Sequence, residues 1–482
     1  MSGGVWQRSR QASTRMRRAS QANSACPGTP RGSTIPRAPT ESTTSPAMVI
    51  LNLERIIGRL LTLVVISLLA ALVRFLGPSP GTASSAMLLG FLLLAAFVAG
   101  EVGREIRLPR ITGYLAIGIL FGPHVLALLP RETVTDFRLI NDIALSVIAL
   151  QAGAELRLAR LRERLASILW ITSAQVVVTA AGIIGLVFLF RDLFPFLQGQ
   201  GPRNALAVAM IFGLVAVAKS PATTIAVITE LRARGPLTDT VLGISVLKDI
   251  IILLLIAAVI PAAVVLRDPT RGFDYSQLGE ISQAILISLA LGAMVGWLIA
   301  LYLKKLNRWP VLFVLAIAFC IVELAHTLHL ESESFILMGM AGGFVVQNLS
   351  SQGPVLVGAL EANSLPLYAL FFAVAGADLD LSLISPIWKV GALIIAARLV
   401  LIYLSTFIGA VAAGDPPIIR HYGWMGFIAK AGVTLGLANI VRERFAPWGA
   451  MVAAIIIAMI AVNQLIGPPL FRLSLVHAGE AR

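Results

Sequence analysis

The chain has 482 residues, 57% of them hydrophobic and only 13% charged, with a formal net charge of +13 and a mean hydropathy of +0.86. A soluble domain carries about 25% charged residues, so this composition excludes a water-soluble fold. Nor does the positive charge mark a nucleic-acid binder, because Lys and Arg lie in the N-terminal tail and in short connections between apolar runs, with no zinc-finger, basic-zipper or aromatic-interleaved basic module.

Residues 1–47 hold seven Arg and one Glu among Ser, Thr, Pro and Gly. Such a stretch has too few aliphatic side chains to fold, and it lacks the apolar core and cleavage site of a signal peptide. Two readings stand: a disordered, basic cytoplasmic tail, or a start codon chosen upstream of a natural start at Met48. Residues 48–482 read as one membrane transporter domain.

Fourteen apolar segments follow, at 56–76, 85–100, 111–129, 137–155, 166–190, 204–229, 237–265, 281–303, 310–328, 334–347, 363–377, 387–411, 422–441 and 448–471. About 20 helical residues cross a hydrocarbon core of roughly 30 Å. The expected fold class is therefore an all-α polytopic membrane protein. With the N-terminus in the cytoplasm, the inner loops carry fifteen Lys and Arg and the outer loops nine. That bias predicts a multi-pass protein of the inner (plasma) membrane with both termini cytoplasmic. Cys26 and Cys320 have neither metal spacing nor a disulfide logic. Likewise His326 and His329, three residues apart at a loop edge, read as interfacial rather than metal-ligating. No Walker or G-x-G-x-x-G sequence is present, so no cofactor is expected and an ion gradient is the expected energy source. H-E-x-x-H, G-x-S-x-G and paired intramembrane aspartates are also missing, which argues against an enzyme.

A charge at the bilayer centre costs about 2.5–3.5 kcal/mol on insertion scales. The informative residues are therefore those deep in apolar runs: Lys219, Lys248, Asp249, Glu323, Arg398 and Lys430. In VLGISVLKDIIILLLIAAVI, eleven apolar residues follow the Lys248–Asp249 pair, so neither side chain snorkels easily to an interface. An internal ion pair that only fixes packing is the plain alternative. Helical neighbours point about 100° apart, however, so Asp249 is expected to face another cation or a water-filled cavity.

In the preceding segment, VAVAKSPATTIAVITEL, the run Lys219-Ser220-Pro221 followed by Thr223 and Thr224 interrupts an apolar helix. Pro221 removes a backbone donor and frees carbonyls near residue 217, and the three hydroxyls add oxygen donors for an ion. Broken helices at mid-membrane line cavities; a simple proline kink is the competing reading. A second interruption, GFIAKAGVTLGLANIV, combines Gly426, Gly432 and Gly436 with Lys430 and Thr434. Small-residue packing explains the glycines but not Lys430. Arg398, about ten residues from either end of its run, stays charged and needs a carboxylate, a carbonyl cluster or a water path, with Asp249 a natural candidate. Glu323 lies nearer a segment end and reads as solvated or packing.

These features together resemble the monovalent cation:proton antiporter superfamily, in its second branch, which includes bacterial sodium/proton antiporters and glutathione-gated potassium efflux systems. The resemblance covers roughly residues 85–472 and is carried by REIRLPRITGYLAIGILFGPHVLALL, LSVIALQAGAELRLARLRER, SPATTIAVITELRARG and LPLYALFFAVAGADLDL. It implies an inverted-repeat fold of 13–14 helices, a homodimer, and two crossing broken helices at 204–229 and 422–441. Core elements would lie at about 166–265 and 387–471. It also implies that Asp249 carries the ion or proton, that Thr223 is the crossing-helix threonine, and that Arg398 is the basic residue of the third-last helix. The implied partners are H+, a monovalent cation (Na+ or K+) and membrane lipids. The implied function is exchange of protons for that cation by alternating access.

Two departures from the family pattern matter. Lys248 stands where Asp, Asn or Gln is usual, and Gly432-Val433-Thr434 where many relatives have Gly-Glu-Phe. Two unit charges 4 Å apart repel by about 4 kcal/mol at an effective dielectric of 20, so the extra cation weighs against metal-ion binding. Lys248 would then be a second proton carrier or a fixed charge that releases the ion. The alternatives are a same-fold transporter of an anion or organic solute, or a non-transporting sensor or channel subunit with Asp249 locked to Lys248.

Overall fold

Prolines set the starts of several helices. Pro202, Pro221, Pro236 and Pro310 each occupy the first helical turn, where the missing N–H is no loss and the fixed φ already suits a helix. In the computed structural model, the described residues are 46–76, 85–268, 276–306, 308–328, 330, 334–362, 364–379, 388–430, 433–445 and 448–481. The expected disordered tail up to residue 45, His329 and Gly432 lie outside the described residues. The stretch Met1–Leu51 forms one unit, described only from Pro46 onward as helix; Asn52–Arg482 forms the second and holds everything discussed below.

The helices in chain order are α1 (Pro46–Leu76), α2 (Ser85–Glu105), α3 (Arg110–Phe121), α4 (Arg138–Glu155), α5 (Leu165–Leu189), α6 (Pro202–Val217), α7 (Pro221–Leu231), α8 (Pro236–Arg267), α9 (Ser276–Lys305), α10 (Pro310–Thr327), α11 (Ser334–Leu349), α12 (Gly353–Glu361), α13 (Ser364–Ala377), α14 (Trp388–Ala412), α15 (Val433–Arg444) and α16 (Gly449–His477). Short helices connect several of them. Counting α6 and α7 as one broken span, nine helical spans among the described residues are long and apolar enough to cross a membrane, and the bent pair α12–α13 makes a tenth. Each of the fourteen apolar segments coincides with a helix or a broken pair. This is an all-α polytopic membrane protein.

Two predicted segments differ in detail. The run 111–129 is helical only to Phe121, because Pro123 disfavours helical backbone at Gly122 and removes a donor. The chain then folds back, with Leu126 N–H donating to Leu120 O and Leu129 N–H to Phe121 O. The short run 363–377 gains α12 as a bent partner.

Close backbone approach joins the scaffold helices. A Cβ on Gly153 of α4 would strike Met340 O of α11, and one on Gly343 of α11 would strike Leu150 O of α4. Small residues permit this contact, which supplies dispersion where water supplies no drive. Polar pairs join α5 to α14: Gln175 Nε2 donates to Thr406 Oγ1 at 2.7 Å, and Thr179 and Ser405 hydroxyls meet at 3.2 Å. These residues sit at a π turn, Gln175–Thr179, inside α5. Two apolar clusters fill the body. One lies among α2, α3, α4, α7, α11 and α13, the other around α6 and α16.

Candidate functional site

The break between α6 and α7 follows from Lys219-Ser220-Pro221. Ser220 takes extended backbone (φ −102°, ψ 114°) and becomes the N-cap of α7, its Oγ accepting Thr223 N–H at 3.4 Å. A proline at 221 favours such a conformation in the residue before it, and serine is a preferred N-cap. The second break has a different form. A 3-10 turn, Gly423–Phe427, leads into irregular chain at Ile428–Lys430, and α15 starts at Val433. The two breaks meet where Ser220 N–H donates to Ala429 O at 3.0 Å. Beneath them a Cβ on Gly467 of α16 would lie 2.8 Å from Ala429 N, so only glycine admits the crossing.

Breaking α6 leaves carbonyls without helical partners, and cationic side chains take them. Lys430 Nζ donates to Val215 O, Arg398 Nε to Ala216 O at 2.9 Å, Lys248 Nζ to Val217 O at 3.1 Å and Arg398 Nη2 to Ala218 O at 3.3 Å. Arg398 also reaches the second break, donating to Phe427 O at 3.2 Å and Ile428 O at 3.1 Å, and to Asn463 Oδ1 of α16 at 2.8 Å. Its guanidinium is fully buried and sits where two helical segments present their negative ends. The carbonyl cluster, not Asp249, is therefore the partner of Arg398. These carbonyls were expected to help ligate an ion; they are occupied by the protein's own cations.

Lys219 Nζ donates to Ser245 Oγ, one helical turn before Asp249 on α8, and lies 5.0 Å from the Phe427 ring centroid; Lys248 Nζ lies 5.7 Å from the same ring. Such distances permit cation–π attraction in a site with little water.

Asp249 is 7% exposed. Among the described residues no donor reaches its carboxylate and no cation pairs with it, Lys248 included. A buried carboxylate left unbonded is costly unless something else satisfies it. It faces a cavity of about 40 Å³ whose lining includes Lys219, Ser220 and Pro221 together with Ile148, Met340 and Phe371.

Of the residues singled out in the sequence, the structure brings Lys219, Ser220, Pro221 and Asp249 to this cavity. Lys248, Arg398 and Lys430 stand behind it on the helix ends. Thr223 and Thr224 do not line it. Thr223 Oγ1 donates to Gln464 Oε1 at 3.0 Å, Thr224 Oγ1 donates to Ser220 O at 3.3 Å, and both face α16. The cavity takes Ala222 and Ile225 of α7 instead, and the face that carries Thr223 and Thr224 packs on α16. Glu323 is exposed on α10. Thr434 is buried with no partner for its hydroxyl among the described residues. Sequence reading missed Asn463 and Gln464, although two amides in the apolar run AMIAVNQLIG carry the same signal that exposed Lys430.

The family comparison meets this geometry directly, for the transmembrane sodium/hydrogen exchanger family matches residues 91–473, a range that includes both breaks and Asp249. The chain belongs to that family. Among curated relatives, this family member is 27% identical to a probable Na+/H+ antiporter, GerT, of Bacillus cereus over 173 residues. It is 26% identical to a Na+/H+ antiporter of Enterococcus hirae over 172 residues. Each match covers 35% of this chain and 41% of the relative. The exchanger fold also resembles solved structures of the sodium proton antiporter MjNhaP1 from Methanocaldococcus jannaschii. One, at pH 8, has a TM-score of 0.59 at 17% identity, covering 81% of this chain and 98% of the other. A second has a TM-score of 0.66 at 16% identity, covering 83% and 99%.

Proposed function

We propose that this exchanger-family protein is a secondary active antiporter, exchanging protons for a monovalent cation, Na+ or K+, across the inner membrane. The observation that carries this reading is Asp249: buried, unbonded and turned into a cavity, it has capacity for one proton or one cation. An intramembrane carboxylate in that state is a functional group by default. Because one carboxylate holds either species and not both, loading one requires release of the other, and that competition couples the two fluxes.

Ser220 is the protein oxygen nearest in role, sharing the cavity wall with Asp249; water completes the shell. Arg398, Lys430 and Lys248 tie the broken ends together, so 166–265 and 387–471 move as one core against the scaffold in alternating access. Lys219 shares the cavity wall with Asp249 and Lys248 precedes it on α8, and their positive charge favours discharge of a bound cation. The protein works as a homodimer, with both termini cytoplasmic.

The test is proton movement in proteoliposomes driven by Na+, K+ or Li+ gradients. Asp249→Asn should abolish cation-dependent proton flux, and retained exchange would remove Asp249 from the mechanism. A second reading, transport of an anion or organic solute, is favoured by the placement of Lys219 on the cavity wall and by the apolar character of the rest of the lining. Flux driven by carboxylates but by none of the three cations would establish it instead.

A further inference from the structure

About one helical turn beyond the lining of Asp249's cavity, toward the basic loops, lies a hydrogen-bonded knot. Gln151 Nε2 donates to Thr229 Oγ1 at 3.0 Å, and the Tyr368 hydroxyl donates to Gln151 Oε1 at 2.8 Å, with Thr229 Oγ1 3.5 Å away. Each member continues a face that lines the cavity. Thr229 lies four residues after Ile225 on α7, Gln151 three after Ile148 on α4, and Tyr368 three before Phe371 on α13. Those spacings stack residues one turn apart on a helix face.

Burial follows the same axis. The lining beside the knot is closed off: Ile148, Ala152, Ile225 and Phe371 are all buried, as are Gln151 and Tyr368, while Thr229 is half-buried. At the far end Leu145 and Leu253 are only half-buried. Just outside the knot, Glu230 accepts Arg110 N–H with both carboxylate oxygens, at 2.8 and 3.0 Å, tying α7 to the start of α3. Arg157, Arg160, Arg232 and Arg234 follow α4 and α7 on this side.

We propose that Gln151, Thr229 and Tyr368 form the gate that shuts Asp249's cavity on the basic-loop side, and that this conformer opens the cavity to the opposite side. The gate spans the two parts that must move apart. Thr229 rides on α7, the element whose start forms the break beside Asp249, while Gln151 and Tyr368 stand on scaffold helices. Opening toward the basic loops requires the α7 hydroxyl to leave both partners and Glu230 to leave the Arg110 N–H, and no element need unfold. The consequence for transport rests on the antiport reading, but the gate itself is read without any ion flux.

The experiment uses the full chain with Cys26→Ser and Cys320→Ser, and Ala149→Cys as a reporter inside the cavity. A membrane-impermeant methanethiosulfonate is applied to right-side-out and inside-out vesicles. The reporter should label from the face opposite the basic loops and only slowly from the basic-loop face. Thr229→Val removes the hydroxyl at nearly constant shape. It should raise labelling from the basic-loop face by about tenfold, the factor expected for losing one or two hydrogen bonds from a closed state. Tyr368→Phe provides the same reading should Thr229→Val fail to fold. Faster labelling of the parent from the basic-loop face, or a folded variant with an unchanged rate there, overturns the proposal. Absence of cation-driven proton flux in the parent chain, with the labelling pattern as expected, would instead count against the function proposed for Asp249.

Discussion

Arg398 shows how much of this site rests on single side chains. Its guanidinium donates to five acceptors, four of them main-chain carbonyls at the two helix breaks. Each buried acceptor left unsatisfied costs about 1–3 kcal/mol. Arg398→Gln should therefore lower stability by about 3 kcal/mol or more, seen as a fall in Tm in detergent. Arg398→Lys should recover only part of this, since an ammonium offers three donors without the planar fork. Asp249 gives the opposite kind of prediction, one of function without a stability cost. In the proposed exchange protons and cations compete for it, so the apparent KM for the driving cation should rise as pH falls, approaching about tenfold per pH unit in the acid limb. Proton-flux measurements at fixed membrane potential would read this, and a KM independent of pH would argue for separate sites.

Among the elements, α8 carries the carboxylate and is held at its start by a remote residue. Glu480 accepts Leu237 N–H and Thr238 N–H at 2.8 Å each and the Thr238 hydroxyl at 2.6 Å. A carboxylate at a helix N-terminus satisfies orphan donors and favours the positive end of the dipole. Glu480→Ala should cost about 1–2 kcal/mol, with Glu480→Gln in between; thermal unfolding of the three proteins orders them. The crossing of the breaks offers a second check. Gly467→Ala places a methyl against the Ala429 backbone at 2.8 Å. Overpacking of this kind costs about 1–3 kcal/mol, and here it should also reduce exchange by prying Ala429 O from Ser220 N–H.

For the whole molecule, the proposed alternation between two faces would need a stiff pair of broken helices moving against a scaffold knitted by glycine contacts such as Gly153 with Met340. The proposed cytoplasmic placement of both ends needs an even number of crossings and rests on the arginine-rich loops. A reporter enzyme active only in the cytoplasm should therefore report from fusions at either end. Activity at one end alone would require an odd number of crossings.

The all-helical class, the two breaks and the buried carboxylate were legible in the chain because lipid leaves few options. Apolar runs must be helical there, and Pro221, Lys219 and Asp249 stand out against a background with almost no polar groups. The partners of those groups were not legible, because partnership depends on which helices meet. Nothing local says that Arg398 reaches Phe427 and Ile428 rather than Asp249, or that Thr223 turns toward Gln464. The same holds for Gln151, Thr229 and Tyr368, which sit far apart along the chain and are ordinary residues until packing brings them together. Sequence alone determined the solvent, the secondary structure and the costly residues, since each follows from the transfer energy of single side chains. Only the tertiary structure decided that the freed carbonyls are already filled, that Asp249 is left open, and which end of its cavity is closed, because hydrogen bonding is pairwise and the pairs are made across helices.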